Sequence, residues 1–453
     1  MDARRGRPLP GFPDGSRLER SFREALSGKI PHMPSAIPGR VLFLLALPLF
    51  AFPGIAADWP QFRGPSGDGS SPETGLAAAW AQTPPKPLWK VPMGEGFGVL
   101  AVSGGKAYAL VEREKKEWCV CLDAATGREL WAAPIDRTIF EGQGGNGPRS
   151  TPAVDGGSVY CLGTYLRLVC LDAATGKETW SLDLPKAMGG DEQLKTAGIS
   201  QWGSAASPLV DGNLVFVHGG GKGKAFLAVH KKTGRPAWAV GDAKLTHASP
   251  CVATLGGVRH VVFFAKEGLF AFGAATGAPL WHYKFGFNVS TASTPVVAGD
   301  IAYCSAGYDV GAGAARVGRG GVAELWRSKG NALANHWTTP VCRESHLYGI
   351  YGFKDYNNAQ LKCVELATGR ELWSQGGFSS GGATILVDGH VLVQSNGSLV
   401  LVEATPGKYI EKGRIQALGG KCWNMAVVAH GRIYVRSTSE AACFEIPGFM
   451  PGT

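Results

Sequence analysis

One repeated pattern constrains the fold of this chain more than any other feature of its sequence. The segment Ser150–Trp180 contains three apolar runs and a terminal tryptophan, separated by the turns Asp155–Gly157 and Asp172–Gly176. Aspartate and glycine at these points favour tight hairpins, and the runs between them suit β-strands. The segment therefore predicts a small sheet of four antiparallel strands, which needs similar neighbours to bury its faces.

Segments of the same design occur along most of the chain. The second turn and its tryptophan return at Asp123–Trp131, and a Ser/Thr-Pro pair opens several units, as at Ser207-Pro208 and Thr339-Pro340. A period of about 40–50 residues with about four strands in each unit is typical of a β-propeller. The regularly spaced tryptophans are expected to pack between blades: Trp89, Trp131, Trp180, Trp238, Trp281, Trp326 and Trp373.

The two ends of the chain are predicted to build one blade together. Leu88–Val91 looks like a fourth strand without the other three, and Met425–Glu445 supplies three strands without a fourth. Pairing them closes the ring and leaves no free sheet edge. The prediction is an all-β, eight-bladed propeller of four-stranded antiparallel blades over residues 86–448, with an N-terminal strap at 58–85 and a tail at 449–453.

The first 57 residues are expected to be a leader that is not part of the fold. Arg40 precedes the apolar run Val41–Ala51, and the small residues before Asp58 suit cleavage of a secretory signal peptide. We expect export to the periplasm, the cell envelope or the outside of the cell, and no transmembrane segment in the mature chain. An uncleaved anchor, and a start at Met33 instead of Met1, are the alternatives.

Charge and cysteine usage argue against several classes of function. Residues 1–40 contain eight Lys/Arg and four Asp/Glu, so the formal charge falls from +9 to +5 without them. The remaining basic residues are spread along the chain, which argues against nucleic-acid binding. No CxxC pair occurs among the ten cysteines, so zinc-ribbon and haem sites are not expected. Four cysteines share one third-strand position, where a small buried side chain is expected: Cys121, Cys170, Cys363 and Cys443.

The repeat signature is [small]-[apolar]-[Asp/Glu]-x-x-Thr-Gly-[basic]-x-x-Trp, and its Thr-Gly pair recurs five times. It resembles the pyrroloquinoline-quinone (PQQ)-like repeat, and the resemblance covers residues 86–448. It implies an eight-bladed propeller that is either a quinoprotein alcohol or sugar dehydrogenase or a BamB-type propeller, which binds protein and carries no cofactor. The segment DWPQFRGP, which begins at Asp58, resembles the start of exported PQQ-like proteins.

The residues just before each Ser/Thr-Pro pair are expected to meet at one mouth of the central channel, because the first strand of each blade begins there. The tryptophans of this set could stack on a planar ligand, and Arg149 and the histidines could bind its anionic oxygens. The competing interpretation is structural, since such residues also fill gaps between blades and satisfy loop backbone groups. The predicted ligand-binding residues are Asn146, Arg149, Gln201, Trp202, His247, Asn288, His336, Trp337, Trp423 and Asn424.

The resemblance leaves two hypotheses, a quinone-dependent dehydrogenase and a non-catalytic binding propeller. The quinone enzymes of the family need a divalent ion held by carboxylate and amide oxygens and an aspartate base, but few acids fall near the predicted mouth. No catalytic or metal-binding residue is assigned. We expect a monomeric, non-catalytic binding or scaffold propeller without a cofactor, which holds an envelope protein, a peptide or a glycan at the mouth and at the long loops 136–149, 185–204 and 307–322. The alternative is a PQQ-dependent alcohol or sugar dehydrogenase that uses Ca²⁺.

Overall fold

The predicted eight-bladed propeller is confirmed by a computed structural model, which describes residues 56–76, 80–191, 202–447 and 449. Eight sheets each contain four antiparallel blade strands, and one of them gains a fifth, parallel strand from the N-terminal segment. The predicted signal peptide lies outside the described residues except for its last two positions. No helix in the described part of the chain is long and apolar enough to cross a membrane.

The blades follow one another in chain order, and first strands of neighbouring blades contact each other around the central channel. Blades 1 to 4 consist of Ala101–Ser103, Lys106–Arg113, Lys116–Asp123 and Glu129–Arg137; Ala153–Asp155, Ser158–Leu162, Arg167–Asp172 and Glu178–Asp183; Leu209–Asp211, Leu214–His218, Phe226–His230 and Pro236–Val240; and Cys251–Leu255, Val258–Ala265, Gly268–Gly273 and Pro279–Lys284. Blades 5 to 8 consist of Val296–Ala298, Ile301–Ala306, Gly311–Gly318 and Gly321–Ser328; Val341–Arg343, His346–Tyr351, Ala359–Glu365 and Glu371–Phe378; Ala383–Val387, His390–Ser395, Ser398–Glu403 and Glu411–Gln416; and Val427–Ala429, Arg432–Arg436, Glu440–Glu445 and Lys86–Pro92. A short helix, Leu184–Met188, follows blade 2.

Blade 8 is completed by both ends of the chain, as the sequence predicts. Lys86–Pro92 is its fourth strand and lies antiparallel to Glu440–Glu445. Trp89 on this strand is buried, and its indole Nε1 donates a hydrogen bond to the carbonyl oxygen of Ala124 in blade 1, 3.1 Å away. The ring is therefore closed by strand pairing within blade 8 and by side-chain packing between blades 8 and 1.

The terminal tryptophans dock on the Thr-Gly turn of the next blade, which explains why the repeat conserves both features within the chain. A Cβ on Gly176 would lie 2.6 Å from Cε3 of Trp131, so only glycine leaves room for the ring. Gly176 also adopts a φ of 74°, which glycine tolerates best. Six indole Nε1 groups donate to a carbonyl oxygen of the following blade, in the pairs Trp89–Ala124, Trp131–Ala173, Trp180–Lys231, Trp238–Ala274, Trp326–Leu366 and Trp373–Thr405.

Replacing Gly176 with alanine is expected to lower the free energy of unfolding by two separable effects. The left-handed backbone costs about 1–2 kcal/mol for a residue with a Cβ, and displacing the Trp131 ring adds about 1–3 kcal/mol. Gly157 is the matched control, since it has a φ of 82° in the same blade and its Cβ would meet nothing within 4 Å. Urea unfolding should show a larger loss for Gly176→Ala than for Gly157→Ala. Equal losses would contradict the docking role of the Thr-Gly turn.

Blade 5 contains sheet where the sequence predicts a long loop at 307–322. Gly311–Gly318 is a regular third strand that pairs with Ile301–Ala306. Its small residues are needed for close packing, because a Cβ on Gly313 would lie 2.6 Å from the hydroxyl oxygen of Tyr283 in blade 4. The predicted partner-binding loop at 307–322 is therefore mostly sheet.

The third and fourth strands of blade 5 are joined without an Asp-x-x-Thr-Gly turn, and this changes the neighbouring blade contact. Trp281 of blade 4 occupies the docking position, but its Nε1 has no hydrogen-bond partner among the described residues. The indole bond at the other blade junctions therefore depends on the turn itself and not only on the tryptophan.

The Ser/Thr-Pro pairs form hydrogen bonds between the first strands of adjacent blades. The hydroxyl of Thr151 accepts the backbone N–H of Val99 at 3.0 Å, and the Thr151 N–H donates to the hydroxyl of Ser207 at 2.9 Å. The same bond joins Ser207 to Ser249 and Thr294 to Thr339. These bonds satisfy buried backbone groups where the blades converge most closely, which accounts for a hydroxyl at this position.

The N-terminal strap crosses the end of the channel at which the first strands finish. Trp59 is fully buried and exchanges two backbone hydrogen bonds of 2.8 Å with Val102 in blade 1. Further along, Gln61 bonds the backbone of Val210 in blade 3, and Ser70–Ser71 pairs in parallel with the first strand of blade 7. Because the strap bonds to blades on opposite sides of the ring, it spans this end of the channel.

Arg63 fixes the middle of the strap inside the channel. Its guanidinium is 1% exposed and donates to the carbonyl oxygens of Thr339 at 3.2 Å, Pro340 at 3.0 Å and Asp68 at 2.6 Å. Burial lowers the pKa of Arg63 to about 10, so the group remains charged at neutral pH. Three carbonyl acceptors compensate for part of the lost hydration, while Nε has no hydrogen-bond partner among the described residues.

Candidate functional site

A cavity of about 830 Å³ occupies the channel end opposite the strap. Two connections in each blade reach this end, one leading into the first strand and one joining the second and third strands, because strand direction alternates across the blade. Phe62 of the strap contributes to the cavity wall from the closed end of the channel. The channel is therefore a pocket closed at one end, with a volume in the range of about 300–1,000 Å³ that is usual for small-molecule sites.

The structure brings most of the predicted ligand-binding residues to this cavity. Asn146 is not in its wall, because its Oδ1 accepts the backbone N–H of Glu141 at 3.1 Å within the loop. Gln201 lies outside the described residues, as do positions 192–200 of the predicted loop 185–204. Eight predicted residues line the cavity: Arg149, Trp202, His247, Asn288, His336, Trp337, Trp423 and Asn424. Their role in binding stays a prediction.

Three aromatic rings on one side of the cavity lie in nearly parallel planes. The Trp337 and Trp423 rings have centroids 5.2 Å apart and an interplanar angle of 12°. Tyr356 lies 5.8 Å from Trp423 at 6° and 5.9 Å from Trp337 at 17°. All three line the cavity, so they offer apolar ring surface to whatever enters it. We refer to these three residues as the aromatic cluster.

Arg149 is held by its own loop, which bears on its predicted role as an anion-binding residue. Its Nη2 donates to Glu141 Oε1 at 2.8 Å and to the carbonyl oxygen of Gly145 at 2.8 Å. Glu141 also accepts the backbone N–H groups of Gln143 and Gly144 at 2.7 Å. The loop thus forms a compact ion-paired wall, and the Arg149 charge is already neutralised by Glu141.

The deeper wall carries neutral polar groups. Both ring nitrogens of His247 and the hydroxyl of Ser290 are buried without a hydrogen-bond partner in the described part of the chain. Burial, followed by the positive charge of Arg149, lowers the pKa of His247 to about 3. Burial, followed by the charge of Lys354, lowers the pKa of His336 to about 4. Both imidazoles are therefore neutral at physiological pH, and each has one donor and one acceptor nitrogen.

Sequence reasoning missed the residues that reach the mouth between the second and third strands. Lys266, Tyr308, Lys354 and Tyr356 belong to these connections in blades 4, 5 and 6, and all line the cavity. The predicted ligand-binding residues all precede a first strand, and of these four residues only Tyr308 falls within a predicted partner-binding loop, although alternating strands bring both connections to the same end. The long connection between His346–Tyr351 and Ala359–Glu365 is the available signal, since only blade 3 has one as long at this point.

Lysines at the entrance of the cavity lie over aromatic rings. Lys354 Nζ is 5.1 Å from the centroid of the Tyr308 ring and 5.3 Å from that of Phe353. Lys421 Nζ is 4.6 Å from the centroid of the Trp423 ring. Lys421 Nζ also donates to the carbonyl oxygen of Gly144 at 2.6 Å, and this bond and the cation–π contacts hold the lysine side chains near the ring faces. The entrance therefore combines positive charge with apolar surface.

The described side chains that line the cavity do not provide the metal ligands that would hold a quinone through a divalent ion. Glu141 is the one carboxylate among the described lining residues, and its oxygens already bond Arg149 and backbone N–H groups. Within the described ranges, no group of three His, Cys, Asp or Glu side chains is placed to hold a metal ion. Calcium prefers six to eight oxygen ligands, usually including carboxylates. The described lining residues therefore lack the ligand set that such an ion requires.

Glu117 is a buried acid in blade 1, close to the wall of the site. It is fully buried, and its oxygens accept the backbone N–H of Thr164, at 2.9 Å, and the Thr164 hydroxyl. Burial raises the pKa of Glu117 to about 8, opposed by these hydrogen bonds and aided by the negative charge of Asp136. The protonated carboxyl is therefore the main form in the folded protein at neutral pH.

The raised pKa of Glu117 is expected to lower stability as the pH rises from about 5 to 8. In this window an unfolded glutamate has lost most of its proton while the folded Glu117 still holds one, so Glu117 alone favours unfolding by up to about 1.4 kcal/mol per pH unit. The lowered pKa values of His218, His247 and His336 act in the opposite direction near pH 6.5, where an unfolded imidazole is about half protonated. The difference in unfolding free energy between the protein and Glu117→Gln, measured with denaturant, should therefore shrink as the pH rises. Parallel curves would contradict the assignment.

Comparisons with known proteins agree with the propeller architecture. The family model described as outer membrane protein assembly factor BamB matches residues 115–341. The crystal structure of BamB from Moraxella catarrhalis is 16% identical, with a TM-score of 0.56 over 80% of this chain and 99% of that chain. Quinohemoprotein alcohol dehydrogenase from Comamonas testosteroni is 14% identical, with a TM-score of 0.62 over 87% of this chain and 82% of that chain. Among curated proteins, none matches this chain. At these identities the structural likeness concerns the fold.

Proposed function

Because the chain belongs to the PQQ-like propeller family whose model is described as outer membrane protein assembly factor BamB, we propose that it is a non-catalytic binding propeller of the cell envelope. It holds its ligand at the open mouth of the channel, and the strap closes the other end. The apolar run Val41–Ala51 after Arg40 and the small residues before Asp58 support export.

One observation carries the proposal: the wall has surfaces for recognition but few groups for chemistry. Parallel aromatic faces and neutral imidazoles line the cavity, while its one described carboxylate is bound by Arg149 and loop N–H groups. A general base must be able to reach a proton on the substrate, and Glu141 is occupied on both oxygens. The site is therefore suited to holding a ligand more than to transforming it.

The proposal predicts that ligand is captured at the mouth and not on the outer strands. A photoreactive phenylalanine analogue at Tyr356 is placed at the mouth, and the same group at Leu280 is the matched control, since both side chains are 39% exposed. After illumination with envelope extract, a discrete product should form from position 356 and not from 280. Products from both positions, or from neither, would overturn binding at the mouth.

The quinone alternative is tested separately with the same purified protein. Mixing it with PQQ and Ca²⁺ should give no heat of binding and no dye reduction with alcohols or aldoses. Saturable quinone binding with dye reduction would replace the proposal by a dehydrogenase. Fractionation of the cells and N-terminal sequencing should place the protein in the envelope fraction with Asp58 as its first residue; a cytoplasmic protein would contradict the proposed location.

A further inference from the structure

The aromatic cluster limits what the proposed ligand can present to the wall. Nearly parallel rings with centroids 5.2–5.9 Å apart are stacked on one another with an offset, so they form one compact apolar surface. Tyr356 is 39% exposed, so part of this ring surface is open to solvent. A ligand with a flat, weakly polar face of C–H groups covers such a surface well, as the face of a pyranose ring does.

The deeper polar groups require a partner that both donates and accepts hydrogen bonds. Neutral His247 offers one N–H donor and one acceptor nitrogen, and the Ser290 hydroxyl offers both roles. Burying these groups unpaired costs about 1–3 kcal/mol each. A carboxylate can only accept and an ammonium can only donate, whereas a hydroxyl does both. The depth of the cavity therefore matches a ligand with several hydroxyl groups.

The entrance adds a preference for negative charge. Lys354 and Lys421 are both exposed and are held over the rings of Tyr308, Phe353 and Trp423. No carboxylate forms an ion pair with either lysine in the described part of the chain. An acidic substituent on a ligand that covers the aromatic cluster would lie beside these ammonium groups, where charge-assisted hydrogen bonds are strong.

We infer that the mouth binds an acidic oligosaccharide of the uronic-acid type, an inference that rests on the proposed binding function. The sugar faces cover the aromatic cluster, the hydroxyl groups pair with His247 and Ser290 in the depth of the cavity, and the carboxylate lies between Lys354 and Lys421. An acidic peptide shares the charge, and its amides donate and accept hydrogen bonds, but it has no ring face of C–H groups to cover the aromatic cluster.

The test compares three probes by calorimetry with the purified protein: oligogalacturonate, its methyl ester and oligoglutamate. The ester keeps the sugar rings and removes the charge, while oligoglutamate keeps the charge and has no sugar rings. Oligogalacturonate should bind at least about tenfold more tightly than either, a difference of about 1.4 kcal/mol. Raising the salt concentration should weaken the binding of oligogalacturonate and leave the binding of its methyl ester unchanged, because salt screens exposed charges.

Substitutions of exposed residues separate the contribution of the lysine charges from that of the aromatic cluster, and they are not expected to unfold the protein. Lys354→Gln combined with Lys421→Gln should raise the dissociation constant of oligogalacturonate about tenfold and leave that of the ester unchanged. Tyr356→Ala should raise the dissociation constants of both sugars by a similar factor, because it removes part of the aromatic surface on which they stack. Leu280→Ala on an outer strand should change neither dissociation constant.

The other possible results would contradict either this inference or the proposed binding function on which it rests. Equal binding of the ester would exclude recognition of charge, and equal binding of oligoglutamate would exclude recognition of sugar. If no sugar binds while the photoreactive group at Tyr356 still forms a product, the mouth holds another ligand class and only the inference fails. If neither occurs, the proposed binding function fails as well.

Discussion

A chain that begins at Met93 is expected to lose its cooperative unfolding transition. The truncation removes Lys86–Pro92 and leaves the strand Glu440–Glu445 as an unpaired edge, so that blade 8 can no longer close against blade 1. An open ring exposes the apolar faces of its end blades and a free strand edge, which favours aggregation. The expected loss equals the whole folding free energy, about 5–15 kcal/mol for a typical domain. Thermal and urea unfolding measure it.

The control restores the strand without restoring the strap. In a second variant that also begins at Met93, the residues after Glu445 are replaced by an Ala-Ala-Thr-Gly turn followed by the sequence of Lys86–Pro92. The antiparallel register, with Lys86 opposite Glu445, allows this connection as a hairpin like those of the other blades. Cooperative unfolding should return in this variant only. Identical behaviour of the two chains would contradict the closure mechanism.

Trp423→Ala is expected to remove ligand capture at the mouth while the propeller still folds. Trp423 contacts both other rings of the aromatic cluster and also Phe97, whose ring centroid is 5.8 Å away. Central aromatic residues of binding sites often contribute at least 2 kcal/mol, which corresponds to about thirtyfold in affinity. The photo-cross-link formed from Tyr356 should therefore fall by at least about thirtyfold.

The comparison for this variant is Trp281→Ala, which removes the same kind of ring away from the mouth. Trp281 is partly buried in blade 4, and its Nε1 makes no hydrogen bond in the described part of the chain, so its loss affects packing between blades. Trp281→Ala should lower the midpoint of thermal unfolding and leave the cross-link yield intact. The opposite pattern, with binding lost in Trp281→Ala and kept in Trp423→Ala, would show that the aromatic cluster is not the binding surface.

Half of the site could be located from the sequence, because the Ser/Thr-Pro pairs mark where each first strand begins. Placing Trp202, Trp337 and Trp423 at one mouth follows from that register alone. The contacts that the mouth residues make with one another could not be predicted from this register. Arg149 is neutralised by Glu141, and Tyr356 completes the aromatic cluster through a connection that carries no repeat motif.

The sequence by itself determined the eight blades, their strand order and the closure by both chain ends, since these depend on local hydrophobic patterns and turn residues that recur at a regular period. The tertiary structure decided which polar groups are left without partners, which charges cancel and which end of the channel is open. Those properties arise where different blades and the strap converge, and pairs such as Arg63 with Pro340 or Lys354 with Tyr308 join segments that no local pattern relates.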